Sequence, residues 1–216
     1  MSWMAKLKWR IAQKLEFKWW QHYLKDKVSD EYLDWKKSYW SSLFQNYNIE
    51  FKSSVLEIGS GPAGAFIIAK QDQQYVCVDP LTNHYQNKLS IFSKDDYSFI
   101  TFENKPWETY ENASEFETVF AFNALNHFQN LELSINKIKR NLSDTGVFIL
   151  SVDVHKSKIA KMIFNLIPAD LLHPQQYTLK EYLKVLSNSG LIVKEQHLLK
   201  SNFIFDYYLI KCSKEV

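Results

Sequence analysis

The chain has little glycine, cysteine or proline, no excess charge of either sign and no long apolar run. Only two cysteines occur, Cys77 and Cys212. They form neither a disulfide framework nor a C-x-x-C metal knuckle, and a reduced, cytoplasmic setting is expected. The 26 basic and 24 acidic residues leave a net charge of +2, too balanced for a dedicated nucleic-acid binder. No segment approaches the roughly 18 apolar residues of a spanning helix. Lys6, Lys8, Arg10, Lys14 and Lys18 interrupt the N-terminus, so it does not read as a signal peptide. The six histidines are dispersed without ligand spacing, and no metal is expected. What is abundant is aromatic: 15 Phe, 12 Tyr and 7 Trp, within an apolar fraction of 46% that implies a folded core.

Six of the seven tryptophans lie in the first 40 residues, in a segment read as two helices. The first, Trp3 to Leu24, carries two apolar stripes at helical spacing. One is Met4, Leu7, Ile11, Leu15 and Trp19; the other is Trp9, Phe17, Trp20 and Leu24. Ser29 reads as N-cap of the second helix, followed by Asp30 and Glu31 at its positive end. Residues 1–52 are thus a helical segment, distinct from the pattern that follows in 53–216. The first 27 residues hold seven basic and two acidic side chains. A helix with two apolar faces buries one and must spend the other on an acceptor, a second copy of the chain or a membrane interface.

From Ser53 strands alternate with helices. Strands are expected at Val55–Ile58, Tyr75–Val78, Ser98–Phe102, Thr118–Phe122, Val147–Val152, Leu191–Gln196 and Phe203–Lys211. Helices are expected from Ala63 to Lys70, Leu131 to Leu142 and Thr178 to Asn188, with a turn at Ser143–Gly146. This order predicts a mostly parallel sheet covered on both faces, closed by an antiparallel hairpin.

Three of the five glycines, Gly59, Gly61 and Gly64, fall within six residues, directly after the first strand. A G-x-G-x-x-G loop in that place allows a tight turn and close approach of a ligand to the backbone. Asp79 ends the next strand, where a carboxylate can accept from ribose hydroxyls. Dinucleotides and S-adenosylmethionine both use such a loop. Glu57 favours the second, because a carboxylate there repels a pyrophosphate and suits a cationic sulfonium.

Residues 55–64, 75–79, 116–128 and 142–150, with the segment from Tyr177 to Gly190, resemble class I S-adenosylmethionine-dependent methyltransferases. The resemblance covers roughly Ser53 to Lys211 and implies a Rossmann-like, doubly wound, seven-stranded α/β fold with the N-terminal helices as a lid. It implies that Glu57 and the loop of Gly59, Ser60, Gly61 and Gly64 hold the methionine end. Asp79 would bind the ribose, Pro80 and Leu81 would flank the adenine, and Trp107 with Glu108 would close its other face. Asn123 would lie beneath the sulfonium. His127 is the first candidate for a general base and His155 a weaker one; Trp19, Trp20, His173 and Tyr177 are candidates for the acceptor side. Asn123-Ala124-Leu125-Asn126 departs from the Asn-Pro-Pro-Tyr pattern by which many amine and amide methylases grip a nitrogen. The expected activity is methylation of a small, apolar or aromatic metabolite or lipid. The alternatives are a non-catalytic S-adenosylmethionine-binding or scaffold protein and a nicotinamide-dependent oxidoreductase. Peripheral membrane contact and a homodimer are expected options for the N-terminal helix.

Overall fold

The computed structural model describes residues 3–112, 114–156 and 177–215. Helices α1 (Trp3–Leu24) and α2 (Ser29–Asn46) lead into strands β1 (Ser54–Ile58) and β2 (Gln74–Val78). Helix α3 (Thr82–Lys88), β3 (Ile100–Glu103), β4 (Phe116–Phe122), α4 (Leu131–Asn141) and β5 (Leu142–His155) follow. The described residues close with α5 (Leu179–Asn188), β6 (Leu191–Ser201) and β7 (Phe205–Lys214). The sheet order is β3-β2-β1-β4-β5-β7-β6, with β7 antiparallel to both neighbours and the other pairings parallel. The chain reverses its direction of winding between β1 and β4, which opens the crevice where α/β sheets bind ligands.

The period-2 alternation of the strands builds two cores. Leu56, Ile58, Val76, Val78, Val119 and Phe148 pack beneath α4 and α5 on one face. Val55, Tyr75, Cys77, Phe120 and Ile149 pack on the other beneath α2, α3 and the inner side of α1. Glu57 lies on this second face, in register with Cys77 and Phe120. Of the two stripes on α1, the inner one supplies buried Phe17 and Leu24, whereas Leu7 (43%), Ile11 (37%) and Trp19 (47%) of the other are exposed.

Four local expectations are corrected. The segment after the glycine loop is not an α-helix but two 3₁₀ turns, Gly61–Ala63 and Ala65–Ile68. Pro62 donates no N–H, Gly64 is extended, and the Glu57 carboxylate takes the N–H groups of Ala65 and Phe66. Ser29 is the first helical residue rather than the cap; its hydroxyl meets that of Ser90 at 2.8 Å. The Ser143–Gly146 turn is absorbed into β5, with an irregular register opposite Phe116 and Thr118. The closing strands run to Ser201 and Lys214, longer than expected. Thr178 does start its helix as expected, with Glu181 accepting from its backbone N–H and its hydroxyl at 2.7 and 3.0 Å.

Candidate active site

The glycine loop is held from three sides. Gly59 N–H donates to the Val78 carbonyl (2.9 Å), tying the loop to β2. Gly61 N–H donates to Asp79 Oδ2 (2.9 Å), while Asp79 Oδ1 accepts from Leu81 N–H (2.8 Å). From behind, the Trp40 indole of α2 donates to the Ala63 carbonyl (3.1 Å). Gly61 has φ +60°, a conformation costly for other residues. At Gly64 the need is space: a Cβ there would stand 2.5 Å from both Glu57 Oε1 and the Ser60 carbonyl.

Glu57, expected to hold the ligand's methionine end, braces the loop from beneath. Its carboxylate accepts from Ala65 N–H (2.8 Å), Phe66 N–H (3.0 Å) and the Tyr75 hydroxyl (2.8 Å), and the residue is 1% exposed. Burial raises its carboxyl to about 7, against the pull of these donors and of Lys36. Burial likewise raises the Asp79 carboxyl, partly offset by the Leu81 and Gly61 N–H groups. Ser60 is buried, with its hydroxyl toward the Gly61 carbonyl; Pro80 is half-buried, and Leu81 is in the core.

The roof of the loop is α1. The Trp20 indole lies 3.4 Å from where a Gly61 Cβ would stand and meets Tyr85 edge-on at 6.4 Å. One turn earlier, Glu16 lies beside Trp20 and places Oε2 3.7 Å from His127 Nδ1, with both side chains 27% exposed. Burial first, then the charge of Asp79, raises the Glu16 carboxyl to about 8, with Trp20 opposing. Neither Glu16 nor Tyr85 was among the expected site residues. The legible clue is that Glu16 is the sole acid of a helix with five Lys and Arg residues.

Asn123, at the tip of β4, has φ +52°. Its N–H meets both the carbonyl and the hydroxyl of Ser151 (2.9 and 3.0 Å), and with its side-chain amide turned over its nitrogen donates to the two Asp153 carboxylate oxygens at 3.2 and 3.3 Å. On the adenine side, the expectation for Trp107 needs correcting. Trp107 is 3% exposed and donates its indole N–H to the Ser134 carbonyl, so it is core beneath α4 rather than a stacking plane. Glu108 accepts from Gln129 N–H (2.7 Å) and braces the approach to α4. His155 is buried at the end of β5 with its ring on Phe205, and its N–H donates to the Tyr177 carbonyl. His155 borders an open cleft of about 460 Å³, also lined by Thr178, Glu181, Asp206 and Tyr208. Trp19 sits at the surface, stacked on Tyr23 at 4.9 Å. His173 lies outside the described residues. No group of three metal-ligating side chains occurs among the described residues.

The sheet order, the glycine loop at the switch point and the acid closing β2 define a Rossmann-like α/β enzyme of the class I methyltransferase type. Residues 49–168, more than half of the chain, match the profile of the family described as the methyltransferase domain, and the chain belongs to that family. Similar folds include a candidate methyltransferase from Bacillus halodurans C-125 at 14% identity and TM-score 0.68, covering 83% of this chain and all of that one. Magnesium protoporphyrin IX methyltransferase from Synechocystis PCC 6803, solved with S-adenosylhomocysteine, is 15% identical at TM-score 0.63, covering 93% and 94%. A glycopeptide N-methyltransferase solved with sinefungin is 15% identical at TM-score 0.61, covering 84% and 87%. No curated protein matches in sequence.

Proposed function

We propose that the chain transfers a methyl group from S-adenosylmethionine to a small, apolar or aromatic acceptor, a metabolite or lipid. One observation carries this reading: the glycine loop pinned to Asp79 is roofed by the Trp20–Glu16 face of α1, with His127 at its edge. Three carboxylates, Glu16, Glu57 and Asp79, gather around the loop. A cation beside them favours their ionised forms and a pyrophosphate disfavours them, which suits a sulfonium rather than a dinucleotide. Asp79 keeps further lone pairs for ribose hydroxyls beside its two backbone N–H bonds. Glu57 supports binding indirectly, by holding the loop that Gly59, Ser60 and Gly61 present. Asn123 borders the same crevice at the tip of β4.

S-adenosylmethionine supplies an already electrophilic methyl group. The protein's part is therefore to align the acceptor, exclude water and, for a protonated acceptor, remove a proton. His127 is the group proposed to take that proton. Glu16 lies toward Nδ1 and would favour the tautomer that leaves Nε2 to accept. Trp20, together with Tyr177 and His155 at the far end of β5, would wall the acceptor side. Thermal shift in parallel with S-adenosylmethionine, S-adenosylhomocysteine and NAD tests the cofactor: the two adenosyl amino acids should raise Tm and NAD should not. Stabilisation by NAD alone would overturn the reading.

The outward stripe of α1 supports a second role for the same helix. Leu7, Ile11 and Trp19 stand exposed beside Arg10, Lys14 and Lys18, the combination favoured at an anionic bilayer surface. We read it as peripheral membrane contact of a cytoplasmic protein, with a homodimer through the same stripe as the competing outcome. Among the described residues no helix is long and apolar enough to cross a membrane. Both cysteines are buried thiols, which suits a reducing compartment.

A further inference from the structure

Helix α1 sorts its charges by face. Arg10, Lys14 and Lys18 are exposed, whereas Glu16, its one acid, turns inward a helical turn before Trp20. Trp20 lies on Gly61. A ligand entering between the loop and α1 therefore meets the carboxyl group of this helix, while the exposed Arg10, Lys14 and Lys18 lie toward solvent. The remaining two carboxylates are already committed to the loop: Glu57 to Ala65, Phe66 and Tyr75, and Asp79 to Gly61 and Leu81. Glu16 has no such backbone donors among its described contacts. The groups facing it are Asp79 from the end of β2, Tyr85 from α3, His127 from the turn after β4 and Trp20 from its own helix.

We propose that Glu16 makes the site sensitive to the charge at the centre of its ligand, favouring the sulfonium of S-adenosylmethionine over the neutral thioether of S-adenosylhomocysteine. The inference rests on the cofactor reading above. Its consequence is directional: loss of the positive charge on methyl transfer removes the attraction to the roof, so the spent cofactor is held less tightly by α1 than the fresh one. The two ligands share their adenosine and amino-acid ends. Contacts with Asp79 and the glycine loop therefore cancel in the ratio of their affinities, which isolates the charge. Without a cation, burial and Asp79 favour the protonated Glu16; a cation favours the ionised form. Binding of the sulfonium should then release a proton, and the preference should grow with pH.

The test is calorimetric titration of the full chain at pH 8 with S-adenosylmethionine, S-adenosylhomocysteine and sinefungin, which carries an ammonium in place of the methylsulfonium. Glu16→Gln should shift the affinity ratio about tenfold toward S-adenosylhomocysteine while changing that ligand's own Kd by less than about threefold. Sinefungin should lose affinity with S-adenosylmethionine. A ratio within about twofold of wild type overturns the proposal. Should the variant fail to fold, the wild-type ratio measured from pH 5.5 to 8.5 decides: it must rise, and a flat ratio overturns the proposal. If neither adenosyl ligand binds the wild type, the cofactor reading itself falls, and this inference with it.

Discussion

Two carboxylates beside the same loop are held in opposite ways. Glu57 sits in the middle of the sheet, saturated by two backbone N–H groups and a buried phenol. Glu16 hangs from α1 and, among the described residues, meets the site through side chains, those of Trp20 and His127 nearest. The floor of the site is thus built into the strand order, and its roof is laid on top. A floor fixed by backbone bonds is formed with the core and carries the fold's stability. A roof fixed by side-chain contacts alone, Phe17 and Leu24 in the core and Glu16 beside His127, opens at lower cost than the strands beneath it.

The largest expected effect comes from breaking the floor. Gly64→Ala drives a methyl into Glu57 Oε1 and the Ser60 carbonyl, each 2.5 Å from the new Cβ, and backbone cannot yield as a flexible side-chain end can. The variant should lose about 2–4 kcal/mol of stability and all measurable cofactor binding. Chemical denaturation and titration check both. Unaltered stability would mean that the loop relaxes freely and that floor and roof do not differ.

A smaller and different effect should follow from removing the roof. Deleting residues 1–27 removes Trp20 and Glu16 but leaves Asp79, Glu57 and the loop intact. S-adenosylmethionine binding should stay within about tenfold of the full chain, because the floor contacts persist. Methyl transfer should fall to a small fraction, because water enters a site that needs to exclude it. The exposed Leu7, Ile11 and Trp19 leave with the same deletion, so co-flotation with anionic liposomes at low salt should be lost too. Liposome binding by neither form, with a halved mass of the truncated protein in sedimentation, would assign the stripe to a dimer.

The same division marks what the sequence made legible. Floor residues announce themselves locally: glycines scarce elsewhere cluster after a strand, and an acid ends the next one, so Gly59, Gly61 and Asp79 can be picked out one by one. Roof and wall depend on which way a helix rolls. Both stripes of α1 are apolar, and periodicity cannot say that Trp20 faces in while Trp19 faces out. Glu16 disappears among five cations when charge is summed over the helix. Trp107 misleads for the opposite reason: it follows β3 where an adenine wall is expected, but Ser134 and α4 claim its indole. The helix expected from Ala63 fails because Pro62, Gly64 and the distant Glu57 take the hydrogen bonds an α-helix would need.

The smallest effect is a pH dependence that sharpens the comparison. Glu16 and Glu57 have folded carboxyls near 8 and 7, and Asp79 is raised as well, all above their unfolded values. Between about pH 4.5 and 8 the folded chain therefore holds more protons at these sites than the unfolded one, and stability falls as pH rises through the window. Lys36, lowered to about 8 by burial against its aromatic neighbours, works in the other direction but only above that point. Tm should decline from pH 5 to 8. In Glu16→Gln the decline should be shallower near pH 8 and persist near pH 7, where Glu57 remains. An unchanged slope in this variant would place Glu16 in solvent in the free protein, leaving α1 lifted from the loop before any ligand arrives.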